Sequence, residues 1–352
     1  MDNIKYVGMD VHKAITVIVI LNAAGQVESR TQVKTKAENL RDFFRGLSGT
    51  VLVVFEEGTQ SAWLHQLLKP LVTAVTVCDA RCIQRNNGHK SDDDDAEMLA
   101  RSLRLGELKE VYKGDAAQRQ LKELCRTYEN LVEDTTRTKN RLKAIYRARA
   151  IACPGQELYR PDRRDEYLAK LTEEATRFRA ETLLDQLAAL RQLRKQAKHR
   201  FITQARAHAD YARLTALPGF GAVRVGQLLA TVGTPQRFRT KRQFWPYCGL
   251  AVVTKSTADY REIEGKIVRS QKKVATRGLN RNHNPRLKQV FKGAALTALG
   301  NTEMRAYYDR LVAAGTRPEL ARVAVARKLA AVALTIWQRK EDYDPRKIAE
   351  SR

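Results

Sequence analysis

The sequence predicts a mixed α/β domain at the N-terminus, a long helical middle and a mainly helical C-terminal domain. Short apolar runs rich in β-branched residues occupy the first 80 residues, and apolar residues then recur every three or four positions from residue 116 onward. No Gly or Pro interrupts residues 116–152, which favours one long helix there. A chain of 352 residues has room for two or three domains.

The N-terminal elements alternate as they do in a mixed sheet. Three sequential strands, followed by alternating helices and strands, are typical of a sheet that has both antiparallel and parallel pairs. The predicted strands are 6–10, 15–21 and 26–35, and they are followed by a helix at 37–46, a buried strand at 51–55, a helix at 59–69, a strand at 72–78 and a helix at 93–105.

The middle of the chain predicts two long helices, at 116–150 and 166–212, around a break that holds two prolines and a glycine. They suggest an antiparallel hairpin, either as part of a plain helical bundle or as a coiled-coil arm for self-association. Beyond it the sequence predicts an apolar helix at 223–232, a strand or buried turn at 244–253, and two helices within 302–338. The predicted domains are 1–112, 113–212 and 213–352.

Composition excludes several classes of protein. The longest apolar runs fall far short of the roughly 18 residues of a membrane span, and the N-terminus lacks the pattern of a secretory signal. The five cysteines are scattered, which argues against a disulfide framework and against a zinc site. We therefore expect a reduced, cytoplasmic compartment.

The charge balance points to a polyanionic partner. The chain has 64 Lys and Arg against 39 Asp and Glu, a net charge of +25, and nucleic acid is the commonest polyanion. A merely solvated basic surface is the alternative. Ten of the basic residues fall within 260–292, where two Glu offset them and interspersed Gly and Asn predict a loop that becomes ordered on nucleic acid. The candidate phosphate contacts of this segment are Arg269, Lys272, Lys273, Arg277 and Arg281.

Four carboxylates stand where a mixed sheet would bring them together. Asp10 ends the first strand, Glu56 ends the strand at 51–55, and Asp92 and Asp95 open a helix one turn apart. Converging carboxylates repel one another, so such a cluster predicts a site for hard divalent cations. Each acid taken singly is more simply explained by turn or helix-start chemistry. The competing positions are Glu57, Asp93 and Asp94.

Three segments of the N-terminal half resemble the DEDD transposases of insertion sequences, the bridge-RNA-guided recombinases. They are GMDVHK at 8–13, FEEGTQSAWL at 55–64 and KSDDDDAEMLA at 90–100. The resemblance implies a ribonuclease-H-like (RuvC-like) domain for phosphodiester chemistry with two Mg²⁺ ions. The implied catalytic and metal-binding residues are Asp10, Glu56, Asp92 and Asp95.

The C-terminal half resembles the same family. LTALPGFGAVRVGQLLATVG at 214–233 is similar to its helix-hairpin-helix-like segment, and RFRTKRQFWPYCGL at 237–250 and ARVAVARKLAAVALTIW at 321–337 are similar to its later blocks. The resemblance implies a serine that attacks the DNA backbone. Ser256 is the expected nucleophile and Thr257 is the alternative register. Gly219 and Gly221 either hold a phosphate on backbone N–H groups or form an ordinary turn before a helix.

The predicted function is that of a metal-dependent transposase, or site-specific DNA recombinase, of an insertion sequence. The implied partners are the DNA of the element ends and of the target, a guide RNA, and further copies of the chain as a dimer or tetramer, without a membrane. The implied location is the bacterial cytoplasm, at the nucleoid during action. The alternatives are a Holliday-junction-resolvase-like nuclease without a covalent intermediate, and a non-catalytic basic nucleic-acid-binding protein.

Overall fold

The computed structural model describes residues 3–79, 91–255, 260–263, 265–269 and 275–345. These residues form two compact units, Met1–Gly114 and Asp115–Arg352. The finer division of the second unit at residue 213 stays a prediction. No helix in the described part of the chain combines the length and the apolar character that a bilayer crossing requires.

The first unit is built on one five-stranded mixed sheet, as the sequence predicts. Its strands are β1 (Ile4–Val11), β2 (Ile15–Leu21), β3 (Val27–Lys34), β4 (Thr50–Glu56) and β5 (Ala74–Cys78), and its helices are α1 (Ala37–Arg45), α2 (Ser61–Leu68) and α3 (Asp92–Leu105). The spatial order is β3-β2-β1-β4-β5. The pairs β1–β2 and β2–β3 are antiparallel, whereas β4 pairs in parallel with both β1 and β5. This order fits the ribonuclease-H-like domain of DEDD transposases.

Both faces of the central strands are covered, which is why β2 and β4 read as nearly continuous apolar runs. Leu40 and Phe44 of α1, together with Leu64 and Leu68 of α2, pack on one face of the sheet. Helix α3 covers the other face, where Ala96 and Ala100 pack against β2 and Leu99 packs against Val54.

Glycine at position 8 lets α3 approach the backbone of β1. A Cβ atom at Gly8 would lie 1.9 Å from the carbonyl oxygen of Ala96 and 2.7 Å from the amide nitrogen of Ala100. Such distances are clashes with backbone, which cannot move aside as a flexible side chain can. Two small residues on the helix and a glycine on the strand therefore set how close the two elements lie.

The second unit begins with the predicted antiparallel hairpin. Its helices are α4 (Ala116–Arg147) and α6 (Glu174–Arg206), joined through the short α5 (Arg164–Ala169). Leu121 near the start of α4 shares a core with Ala205 near the end of α6, whereas Tyr146 at the end of α4 packs with Ala180 at the start of α6. Most of the apolar stripe of each helix is thus covered within one chain, but Phe178 and Leu193 of α6 are 69% and 49% exposed. Self-association through these helices stays a prediction.

The rest of the second unit is mainly helical around a large aromatic core. Phe201, Phe244, Phe291 and Trp337 are all buried in it. Its elements are α7 (Tyr211–Thr215), α8 (Ala222–Val232), α9 (Lys241–Tyr247), β6 (Val252–Lys255), β7 (Tyr260–Ile263), β8 (Lys266–Arg269), β9 (Ala275–Leu279), α10 (Pro285–Ala298), α11 (Thr302–Ala313) and α12 (Pro318–Arg339).

Two predictions in this region need correction. The run at 244–253, predicted as a strand or buried turn, begins as the end of α9, which the prediction missed, and continues as a buried turn at 248–250 and the start of β6. A short apolar run does not distinguish a buried helix from a buried strand, and the packing of Phe244 against Phe238 and Phe291 decides it. The basic segment, predicted as a loop, contains β7 to β9 and the start of α10. The strands pair as β6–β9 and β7–β8, both antiparallel. β7 and β8 are consecutive strands, whereas β9 pairs with β6 from before them, so pairing supplies order that the local Gly and Asn content hides.

A buried carboxylate fastens the end of α12 to α7. Asp210 accepts hydrogen bonds from Trp337 Nε1 at 2.9 Å, Lys340 Nζ at 2.7 Å and Arg213 at 2.6 Å. Burial by itself would raise the pKa of Asp210, but the hydrogen bond and charge of Lys340 and the Trp337 N–H hold that pKa below its ordinary value. The second unit is therefore closed by an ion-paired, hydrogen-bonded contact between residues far apart in sequence.

The close approach at Gly8 predicts a large cost for any side chain there. We expect Gly8→Ala to lower the free energy of unfolding of the first unit by about 1–3 kcal/mol, because the new Cβ must displace α3. Urea unfolding followed by circular dichroism measures this. Gly58→Ala is the matched control, because a Cβ there meets nothing within 4 Å. Equal stabilities for the two variants would contradict the role assigned to Gly8.

Candidate active site

Two carboxylates stand side by side at the end of the central strand pair. In the parallel β1–β4 ladder Met9 pairs with Phe55, so the next residues, Asp10 and Glu56, are neighbours at the carboxyl end of both strands. Met9 and Phe55 are fully buried on the α1–α2 side of the sheet. Side chains alternate along a strand, so Asp10 and Glu56 belong to the opposite face, which α3 covers.

The first turn of α3 brings further carboxylates to this edge. Ser91 is its N-cap: its side-chain oxygen accepts from the amide of Asp94 at 3.2 Å and donates to Asp94 Oδ2 at 2.7 Å. Asp94 is thus engaged in the cap. Asp92 and Asp95 lie one turn apart, and the helix continues directly to Ala96, which contacts the backbone of β1.

A histidine that the sequence analysis did not assign lies within this cluster. The Nε2 atom of His12 is 3.1 Å from Asp10 Oδ2 and 3.3 Å from Asp92 Oδ2. One ligand atom from each of the three residues lies within 4.8 Å of the others. A signal was present in the sequence, since His12 follows Asp10 by two positions at the end of a strand and such residues share a side.

The electrostatics of Asp10 show that the acids are close enough to interact. Burial raises the pKa of Asp10 above its ordinary value of 3.8, and the negative charges of Asp92 and Asp95 raise it further, whereas His12 opposes the shift. The structure therefore brings Asp10, Asp92 and Asp95 into one electrostatic cluster, with Glu56 beside Asp10.

A pocket of about 510 Å³ opens beside Asp10 and Glu56. Lys13, Thr59, Gln60 and Ser61 are among its other lining residues.

The two neighbouring glutamates differ in their surroundings. Glu57 also lines the pocket, but its carboxylate forms an ion pair with Lys113, whose ammonium group also donates to Ser61 Oγ at 3.1 Å. Glu56 is the residue in register with Asp10. This difference favours Glu56 over Glu57 as the partner of Asp10.

The donor set fits a hard divalent cation. Carboxylate oxygens are the ligands that Mg²⁺ prefers, and several of them converge here on a partly buried strand end. Burial and the charges of Asp92 and Asp95 disfavour the ionised form of Asp10, and a bound divalent ion would relieve both effects. The residues that would hold it are Asp10, Glu56, Asp92 and Asp95, with the His12 nitrogen as a further donor.

The structure describes only part of the second predicted site. Ser256, Thr257, Lys272 and Lys273 lie outside the described residues. Arg269 ends β8, Arg277 lies within β9, and Arg281 is exposed shortly after β9.

The two glycines of the predicted phosphate-binding turn differ in their surroundings. Gly219 has a φ of +78°, and a Cβ there would lie 2.2 Å from the carbonyl oxygen of Ala294, so this glycine is explained by packing of the turn on α10. Gly221 is the N-cap of α8, and a Cβ there would meet nothing within 4 Å. A role for either backbone N–H in phosphate binding stays a prediction.

The raised pKa of Asp10 predicts that its carboxylate destabilises the metal-free protein. A carboxyl group whose folded-state pKa is raised lowers stability above that pKa, and the effect vanishes as the pH falls below the unfolded value. We expect Asp10→Asn to raise the Tm in EDTA at pH 7, and the two proteins to converge below about pH 3.8. The same variant should lose most of the Tm increase that Mg²⁺ or Mn²⁺ gives the wild type.

Calorimetry or differential scanning fluorimetry makes this comparison. Asp42→Asn on α1 is the control, because Asp42 is an exposed carboxylate in the same unit, outside the cluster. A lower Tm for Asp10→Asn in EDTA would contradict the assignment of repulsion to this site.

Comparison with known proteins agrees with this geometry. Residues 7–148 match the family model for the DEDD transposases of the IS110 group, described as Transposase, and residues 211–275 match the model described as Transposase IS116/IS110/IS902 family. A Sinorhizobium fredii protein named as transposase y4qE is 24% identical over 345 residues, covering 92% of this chain and 86% of its own length. A Pseudomonas aeruginosa protein named as a family 20 transposase is 23% identical over 264 residues, covering 72% of this chain and 76% of its own length. The chain belongs to the DEDD transposase family of insertion sequences, the IS110/IS116/IS902 family, and is a DNA transposase.

Proposed function

We propose that the first unit cuts DNA strands at a divalent-metal site formed by Asp10, Glu56, Asp92 and Asp95. The observation that carries this proposal is the convergence of these side chains at one edge of the mixed sheet, where Asp10 is partly buried among the others. Bound Mg²⁺ would activate the attacking oxygen and neutralise charge on the phosphate that is cleaved.

The residues of the chain have separate tasks in this proposal. The rigid ends of β1 and β4 fix Asp10 and Glu56, while the capped start of α3 presents Asp92 and Asp95. Ligands on regular elements are held more precisely than ligands on loops. The neighbouring pocket leaves room for a sugar–phosphate group beside the acids.

The strand-transfer step is proposed to use Ser256. The support is the match of residues 211–275 to a transposase family model, because this range contains Ser256 and Thr257. In the proposed step Ser256 Oγ loses its proton and bonds to phosphorus, and one phosphodiester P–O bond breaks. The released deoxyribose oxygen takes up a proton, and the reverse attack by a different strand end restores the serine.

The proposed partners are the DNA of the element ends and target, and a guide RNA that pairs with both. The net charge of +25 and the cations of β8, β9 and the segment after them support contact with more than one nucleic acid. Strand exchange between two duplexes needs several active sites at once, which supports action as a dimer or tetramer.

The two neighbouring glutamates provide a direct test of the metal site. We expect Glu56→Gln to reduce Mg²⁺-dependent strand cleavage more than about a hundredfold, because a metal ligand is lost. Glu57→Gln should cleave at close to the wild-type rate, because Glu57 is paired with Lys113. Cleavage of labelled element-end DNA measures both, and DNA binding in EDTA should be nearly the same for all three proteins. The reverse ranking of the two variants would overturn the assignment of Glu56.

The nucleophile is tested by trapping a protein–DNA adduct. We expect Ser256→Ala to abolish the adduct and recombination while leaving metal binding intact, and Thr257→Ala to be much milder, because the methyl group of threonine crowds the line of attack on phosphorus. Denaturing electrophoresis of reactions with end-labelled DNA detects the adduct. A dead Thr257→Ala beside an active Ser256→Ala would shift the register by one residue. Full activity in both variants would favour the hydrolytic, resolvase-like alternative.

A further inference from the structure

The helical hairpin of the second unit carries a cationic pocket far along the sequence from the basic segment at 260–292. It has a volume of about 650 Å³, and three of its lining residues are Lys139, Lys143 and Arg147. They occupy positions i, i+4 and i+8 of α4, so they stand on one face of the helix. The other lining residues are Thr136, Asn140, Ala144, Gly155, Gln156 and Tyr159, so this described lining contains no carboxylate.

More positive charge reaches the pocket from the facing helix. The pKa of Lys139 is lowered below its ordinary value by burial and then by the charges of Arg191 and Arg194 on α6. Arg191 is tied in place because it donates to the backbone carbonyl of Tyr159. Like charges four residues apart on a helix repel, so this clustering destabilises the free protein unless an anion shares the site.

The contacts of Lys139 are with neutral groups. Its ammonium group donates to Gln156 Oε1 at 2.9 Å and lies 4.8 Å from the centre of the Tyr159 ring. Within the described residues, neither Lys143 nor Arg147 forms an ion pair with an acid. Glu157, which follows the lining residue Gln156 in the sequence, is engaged elsewhere, because its carboxylate oxygens lie 3.7 Å from side-chain nitrogens of Arg160 and Arg163.

The partial negative charge at the C-terminal end of α4 disfavours a bound anion, but only weakly. The C-terminal end of a helix carries an effective charge of about −0.5, which three or more full positive charges outweigh. Arg147 lies in that last turn, where a cation also interacts favourably with the helix end.

The form of the pocket indicates which kind of phosphate it takes. Its mouth is open, because Asn140, Ala144 and Arg147 are exposed and Lys143 is half-buried. The Tyr159 ring is 5% exposed and lies beneath Lys139, so it offers no free face on which a base could stack. A free nucleotide would need such a slot for its base. A backbone phosphate of a nucleic acid needs no such slot, because its sugar and base stay outside the pocket.

We propose that this pocket binds a backbone phosphate of a nucleic acid, through Lys143 and Arg147 with Lys139 at the floor. The contact is independent of base sequence and positions the nucleic acid on the hairpin. DNA and RNA share the phosphodiester, and the experiment below separates them. The inference rests on the proposed function only in that a transposase handles nucleic acid, since the pocket contains none of the proposed catalytic residues.

The test compares two double variants of the same helix. K143Q/R147Q removes two cations from the pocket, and R126Q/R137Q removes two cations whose partners are Glu123, Glu133 and Asp134. Both variants change the net charge equally. Fluorescence anisotropy of the full chain in EDTA, over a NaCl series, gives the salt dependence of binding to labelled single-stranded RNA, single-stranded DNA and duplex DNA of mixed sequence.

We expect K143Q/R147Q to make the plot of log K against log salt shallower by about 0.7 for a single strand or about 0.9 for a duplex, which corresponds to the loss of one phosphate contact. R126Q/R137Q should keep the wild-type slope. A change confined to RNA identifies RNA as the occupant, and a change with either DNA probe identifies DNA. Equal slopes for wild type and K143Q/R147Q with all three probes, or equal changes in both double variants, would overturn the proposal.

A second measurement on the wild-type chain needs no substitution. Lys143 should be protected from an acetylating reagent by the nucleic acid that binds, whereas Lys170, which is paired with Glu166, should show the same acetylation with and without it. Mass spectrometry of the digested protein measures the acetylation of both lysines. Unchanged acetylation of Lys143 under saturating nucleic acid would overturn the proposal. Since neither measurement uses metal or cleavage, loss of the proposed catalytic function would leave this result unaffected.

Discussion

The geometry of the candidate active site depends on the backbone contact between β1 and α3 at Gly8. Because a strand and a helix are stiff, their separation at this point fixes the carboxylates beyond it, with Asp10 two residues farther along the strand and Asp92 one turn back along the helix. A side chain at position 8 would push β1 and α3 apart. The same closeness removes Asp10 from water and exposes it to the charges of Asp92 and Asp95, which raises its pKa. The packing and the electrostatics of the site therefore have one origin.

This arrangement is unfavourable for the folded protein by itself, and the surrounding structure compensates for it. Ser91 caps α3 and engages Asp94, the Lys113 ammonium group neutralises Glu57, and the His12 ring lies between Asp10 and Asp92. The remaining repulsion acts on Asp10, one of the acids proposed to bind metal. Residues that lower stability and persist in a packed setting are characteristic of functional sites, where a ligand relieves the strain.

In the second unit the charge is predominantly positive and lies in separate places. Its two long helices pack mainly on each other, and Asp210 joins α7 to the end of α12 through three donors. Positive charge is distributed between the strands β8 and β9 and the hairpin pocket rather than confined to one loop. A protein that must hold several nucleic-acid segments at once gains from such separated contacts, because each adds affinity without reading sequence.

The sequence by itself determined the order of strands and helices in the first unit and the long helices, because these depend on local periodicity and on residues at element ends. It also supplied the four candidate acids with their alternatives. It also carried the resemblance to the DEDD transposases. Tertiary structure gives Glu56 and Glu57 different surroundings, since Glu56 is in register with Asp10 and Glu57 is paired with Lys113, which is distant in sequence. It placed His12 between two acids, and it brought Arg191 and Arg194 of α6 near Lys139 of α4. It also turned a predicted loop into strands, of which β9 pairs with the earlier strand β6. The contacts of Glu57 with Lys113, of His12 with Asp92 and of β9 with β6 join residues that no local pattern relates, so only the folded chain could supply them.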